Sequence, residues 1–130
     1  MSFIDDWKPK LEWKKEGKGF CVIVSKHKGF DDGNKWCVYL YVYLSHPSFE
    51  KFNKDGTMWE QPHFDCHSYV SYFRPHIDHR TGDVLSYQLG WDYNHDGDHY
   101  YTTCETPDDA SSVFWDADNL FKQASEWDKV

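Results

Sequence analysis

The sequence predicts an α+β fold: an antiparallel sheet of about four strands with a C-terminal helix packed on one face. Three observations predict it. Residues 36–44 alternate between aliphatic and mostly tyrosine side chains, the period of a strand whose two faces differ. Thr106-Pro107-Asp108-Asp109 reads as an N-cap, a first-turn proline and an acidic first turn. It is followed by Val113, Phe114, Ala117, Leu120, Phe121 and Ala124 at helical spacing. Finally, 7 Trp, 9 Tyr and 9 Phe among 130 residues supply a core built from rings rather than aliphatic chains.

Taken in order, residues 1–18 are a polar lead-in or edge strand carrying Trp7 and Trp13. Residues 19–24 form a strand, and residues 27–34, with Gly29, Asp31, Asp32 and Gly33, carry turn chemistry. Residues 36–44 complete a hairpin with it. Val38, Leu40, Val42 and Leu44 take one face, and Cys37, Tyr39, Tyr41 and Tyr43 the other. Ser45 or His46 then caps a short helix with Pro47 near its first position. Residues 64–73 read as the third strand, with Asp65, His67, Tyr69, Ser71 and Phe73 on one side. Residues 74–82 read as a loop and residues 84–94 as the fourth strand. In that strand Leu85, Tyr87, Leu89, Trp91 and Tyr93 oppose Val84, Ser86, Gln88 and Gly90. The helix is expected over residues 107–127, with Phe114, Leu120 and Phe121 buried. The whole chain, 1–130, reads as one domain.

Composition excludes several classes. The formal net charge is −8, concentrated in residues 92–130, where ten acids face two lysines. A general nucleic-acid binder needs a basic footprint, so direct nucleic-acid binding is not expected. No apolar run reaches membrane-helix length. The first residues lack a basic and an apolar signal region, so a cytoplasmic location is expected. Cys21, Cys37, Cys66 and Cys104 form no C-x-x-C pair, so neither a zinc ribbon nor disulfides are expected, and Cys21, Cys37 and Cys66, inside apparent strands, read as small buried hydrophobes. The acidic third either solvates the surface or meets a basic protein. Asp108, Asp109, Asp116 and Asp118 are the partner-binding candidates.

The chemistry-bearing candidates are His67, Asp92, His95 and Asp98. Asp65 and His67 lie two apart and share a strand face. Asp92, His95 and Asp98 leave the fourth strand through an Asp96-Gly97 turn. Paired antiparallel strands would gather His67, Asp92 and His95 into one polar network. Imidazole and carboxylate together suit a divalent cation or a general base. The same residues equally serve as turn caps and hydrogen-bonded strand ends. No cofactor is expected, with a divalent metal as the alternative. Tyr39, Tyr41 and Tyr43 could stack on bases, but such a face more often packs under a helix or makes a protein interface.

The string Gly90-Trp91-Asp92-x-x-His95-x-Gly97-Asp98 resembles the G-F-D-x-x-H-x-G-D signature of a family of small uncharacterised phage and prophage proteins. Asp65-Cys66-His67 and His46-Pro47 resemble two further pieces of that pattern, in the same order. Trp91 stands for the family's Phe, and Ser68-Tyr69 stands where the family has two glycines. The resemblance implies a phage or mobile-element accessory protein. With the acidic balance and the lack of a nucleotide-binding or hydrolase signature, binding is the expected mode of action. The expected partner is a host defence protein, inhibited in an anti-CRISPR-like manner, or a small nucleotide ligand. The alternative is a metal-dependent hydrolase using His67, Asp92, His95 and Asp98.

Overall fold

In the computed structural model, the described residues are 12–28, 33–57, 60–61, 70–93 and 99–126. They form strands β1 (Glu12–Glu16), β2 (Phe20–Lys28), β3 (Asn34–Tyr43), β4 (Tyr72–Ile77) and β5 (Val84–Asp92), and helices α1 (His99–Thr102) and α2 (Ser111–Glu126). A 3₁₀ turn spans Phe49–Lys51. The strands make one antiparallel five-stranded sheet in the order β1-β2-β3-β5-β4. The fold is therefore α+β with a C-terminal helix on the sheet, as expected, but with five strands instead of four. The fifth strand is β1, the edge-strand alternative for the polar lead-in. Its Trp13 stacks on Trp36 at 5.5 Å and meets Phe114 edge-on at 5.6 Å, and this burial recruits an otherwise charged segment to the sheet.

The β2–β3 hairpin pairs in register from Phe20↔Val42 to Lys28↔Asn34. Period-two alternation places Val22, Val24, Trp36, Val38, Leu40 and Val42 under α2, all buried. From β5, Tyr87, Leu89 and Trp91 join them, and Tyr93 follows just past the strand. The helix answers with Val113, Phe114, Ala117, Leu120 and Ala124. Phe121 is only partly buried, because it sits at the edge of the stripe beside Phe20 and Lys15. Beyond the reach of α2, Phe49 and Phe52 cover Tyr87 at ring distances of 5.0 Å.

Five features differ from the sequence reading. β4 runs through Arg74, Pro75 and His76, expected as a loop. Its edge position explains this, since an edge strand tolerates a proline's missing N–H. Leu44 lies past the end of β3 and is 71% exposed instead of continuing the aliphatic face. Leu85 lies beside the register shift between His76 and Ile77 and is 56% exposed. The regular helix starts at Ser111, not Pro107. Thr106 does cap: its Oγ1 accepts the Asp109 N–H at 3.2 Å and its carbonyl accepts the Ala110 N–H at 3.1 Å. That single turn ends at the buried Ala110, whose carbonyl then accepts the Val113 N–H at 2.9 Å and launches α2. The expected cap at Ser45 or His46 gives way to Ser48, and the expected short helix is the 3₁₀ turn. No helix among the described residues is long and apolar enough to cross a membrane.

Candidate functional site

His67, His95 and Asp98 lie outside the described residues, as does Cys66, so the expected His67–Asp92–His95 network falls there too. Asp92 is the member that is described. It ends β5, half-buried, in register with Cys37. By alternation it belongs to the sheet face turned away from α2, in the row Glu12, Ser25, Cys37, Asp92. Burial pushes the Cys37 thiol up, and the Asp92 charge adds to that. Among the described residues, no three His, Cys, Asp or Glu side chains gather as a metal ion requires.

The residue after Asp92 takes the other face. The Tyr93 N–H donates to the Trp36 carbonyl at 2.9 Å, and its hydroxyl donates to Asp116 Oδ2 at 2.6 Å. Burial foremost, and then this bond, raises the Tyr93 pKa far above the ordinary phenol range. Asp116, a partner-binding candidate, is therefore committed inside the molecule. Asp118 is committed as well, through an ion pair to Lys15 of β1 at 2.7 Å. Asp108 and Asp109 are exposed on the turn before α2. Cys104 nearby is buried, and its carbonyl accepts from Asn34 Nδ2 at 2.7 Å and Trp36 Nε1 at 3.2 Å.

The face away from α2 carries the tyrosines. Tyr39 meets Tyr72 edge-on at 5.4 Å, and Tyr41 stacks on His76 at 5.9 Å. His76 Nε2–H donates to Gln88 Oε1 at 2.7 Å, and the Tyr43 hydroxyl and Cys21 Sγ lie 3.1 Å apart. Burial lifts the pKa of Tyr39 and Tyr43, and lifts Tyr41 to about 12. The Tyr39 ring lies over Gly90: a Cβ there would sit 2.5 Å from Tyr39 Cδ1 and 2.2 Å from the Val38 carbonyl oxygen. Among the described helices, α2 packs on the opposite face, so it does not cover these tyrosines.

Two features escaped the reading of the residues. Trp115, on the outer side of α2, is 60% exposed, and so is Tyr100 on α1. The signal for Trp115 was present, since it falls outside the apolar stripe 113, 114, 117, 120, 121, 124. The second is a cavity of about 450 Å³ beside Phe20, His46 and Phe121. It assembles three distant segments, and no local pattern encodes it. Compared with protein-family models, curated proteins and solved structures, the chain matches none.

Proposed function

We propose that this chain acts by binding a protein with a basic surface, through the outer side of its helical layer. The observation that carries the reading is Trp115, 60% exposed on α2. Tryptophan and tyrosine are enriched among the few residues that carry most of the energy of protein interfaces. The charge of the stretch of sequence that carries it favours a cationic partner. Residues 81–121 contain nine Asp or Glu and no Lys or Arg. Within them Asp108 and Asp109 stand exposed ahead of α2, while Lys26 reaches Glu105 at 3.7 Å and neutralises one charge. Acidic groups around an aromatic anchor steer a basic surface and fix its register.

Within this reading the chain is an accessory protein of a phage or other mobile element, acting in the bacterial cytoplasm to inhibit a host defence protein. The resemblance of the Gly90–Asp98 string supports that origin, and the acidic aromatic surface supports inhibition by contact. The test uses the immobilised full chain in bacterial lysate, with captured proteins read by mass spectrometry. A basic protein retained by the wild type is expected to be lost from Trp115→Ala, a truncation worth about 2 kcal/mol or more at an interface anchor. It should also elute earlier in salt from the Asp108→Lys, Asp109→Lys double variant, because exposed charges are screened within about 8 Å at physiological ionic strength. Retention unchanged in both folded variants would overturn the reading.

A further inference from the structure

The sheet face turned away from α2 is laid out evenly about its middle strand. In the order β1-β2-β3-β5-β4, β3 has two strands on either side. Two rows of paired residues cross this face from edge to edge. One is Lys14, Ile23, Tyr39, Gly90 and Tyr72, and the other is Glu16, Cys21, Tyr41, Gln88 and Arg74. A tyrosine holds the middle of each row, and the second row ends in an acid on one edge and a base on the other. Ile23, Tyr39, Tyr41, Tyr72 and His76 are half-buried within the chain and keep surface for a further contact, while Glu16 and Arg74 are exposed.

Charge sets this face apart. The chain carries −8, so two copies repel over most of their surfaces. Among the described strand residues, alternation gives this face Glu12, Lys14, Glu16, Lys35, Arg74 and Asp92, three of each sign. Lys14 meets Glu16 at 3.1 Å, whereas Arg74 has no ion-pair partner among the described residues.

We infer that a second copy of the chain packs on this face, sheet on sheet, about a two-fold axis running along β3. That axis lays β3 against the partner's β3 and each β1 edge over the partner's β4 edge. Glu16 then faces the partner's Arg74, twice per dimer, and Lys14 lies over the partner's Tyr72. Tyr39 and Tyr41 meet the partner's Tyr39 and Tyr41 at the axis, which gives an aromatic centre with a charged rim. Sheets packed in this way lie about 10 Å apart, with strands within about 30° of one another. Five strands about 4.8 Å apart, each contributing about six residues at about 3.4 Å, cover roughly 500 Å² in projection. That meets the lower bound for specific association, about 1,000 Å² over both copies, and places the dimer in the micromolar range.

Sedimentation velocity of the full chain from about 1 µM to about 1 mM tests the inference, with a monomer expected at the low end and a dimer at the high end. Arg74→Glu and Glu16→Arg, both at exposed positions, should each weaken the dimer by about tenfold or more, because each sets like charges against one another at two places. The two together should restore it, since the pair is then only exchanged. Trp115→Ala, on the other side of the molecule, should leave it unchanged. Thermal melts at the dilute end serve as the control that each variant is folded. A chain that stays monomeric up to about 1 mM leaves the face to a different partner and overturns the inference. So does a dimer that Trp115→Ala breaks, or one that the exchanged pair does not restore.

Discussion

The two faces of one sheet are built on different physics. Under α2, Val22, Val24, Trp36, Val38, Leu40 and Val42 are sealed from water and held by apolar area. On the other face, Tyr39 and Tyr72, and Tyr41 and His76, are partly buried pairs in ring contact, and the more exposed Tyr43 meets Cys21 Sγ. The first face makes the fold. The second is a layer that α2 leaves uncovered, where His76 bonds Gln88 and the Tyr43 hydroxyl meets Cys21. The difference teaches that strand alternation alone sorted the residues, and the helix then chose the aliphatic side.

The largest expected effect is on the sealed face. Phe114→Ala should destabilise by about 3–5 kcal/mol, because the cavity it leaves lies between Trp13 and Trp36. Tyr41→Ala, the same kind of truncation on the other face, should cost only about 1–2 kcal/mol, since the ring is only partly buried. Equal denaturation midpoints for the two variants would break the comparison.

Gly90→Ala comes next, at about 2–3 kcal/mol of overpacking. The new methyl would meet both the Tyr39 ring and the Val38 carbonyl oxygen. Removing the ring in a Tyr39→Ala, Gly90→Ala double variant should not rescue it, because the closer contact is backbone. Rescue in urea unfolding would instead assign the strain to the aromatic layer.

Tyr93→Phe tests the polar stitch beneath the helix. Loss of the hydroxyl from the Asp116 carboxylate should cost about 1–2 kcal/mol, the usual value of a hydrogen bond to a charged group discounted for its partial exposure. Asp108→Ala, on the exposed turn, should stay within about 0.5 kcal/mol. Thermal melts of the pair separate an internal acid from a surface one.

The smallest effect is a matter of slope. Tyr39, Tyr41, Tyr43 and Tyr93 all have folded pKa values raised by burial above the unfolded value near 10. Above pH 10 the unfolded chain releases protons that the folded chain still holds. Stability is therefore intact below that pH and falls as pH rises through the window up to the folded values. Replacing Tyr39, Tyr41 and Tyr43 together by Phe should flatten the loss between about pH 10 and 12. An unchanged alkaline slope would assign the loss to Tyr93 and the sealed face.

Alternation carried the sheet, and helical spacing carried α2, because both are repeated local signals with one period each. The pairing of β4 with β5 followed from their adjacency. What escaped depended on position within the finished sheet. Pro75 reads as a loop residue until β4 is known to be an edge. Trp13 fits a lead-in or an edge strand equally well until Trp36 and Phe114 are placed beside it. Asp116 and Asp118 read as free acids because their partners, Tyr93 and Lys15, are 23 and 103 residues away. Of the His/Asp cluster, the register of β5 locates Asp92, and its neighbour Tyr93 turns to the opposite side.

The strand order has a kinetic consequence. β5 lies between β3 and β4, so the chain leaving β3 skips the adjacent position, lays down β4 at the edge and returns to fill it with β5. The described strands form three hairpins, β1–β2, β2–β3 and β4–β5, the last closed by a turn in which the Gly82 N–H donates to the Asp78 carbonyl at 2.8 Å. Each hairpin is local and forms in roughly 1–10 µs, whereas the seam between the last two closes across residues 44–71 and is slow. Folding speed is then set by the meeting of β3 with β5, where Leu40 faces Leu89 and Tyr39 faces Gly90. Leu89→Ala is expected to slow refolding in a stopped-flow experiment, while Trp13→Ala, on the outermost strand, should mainly quicken unfolding.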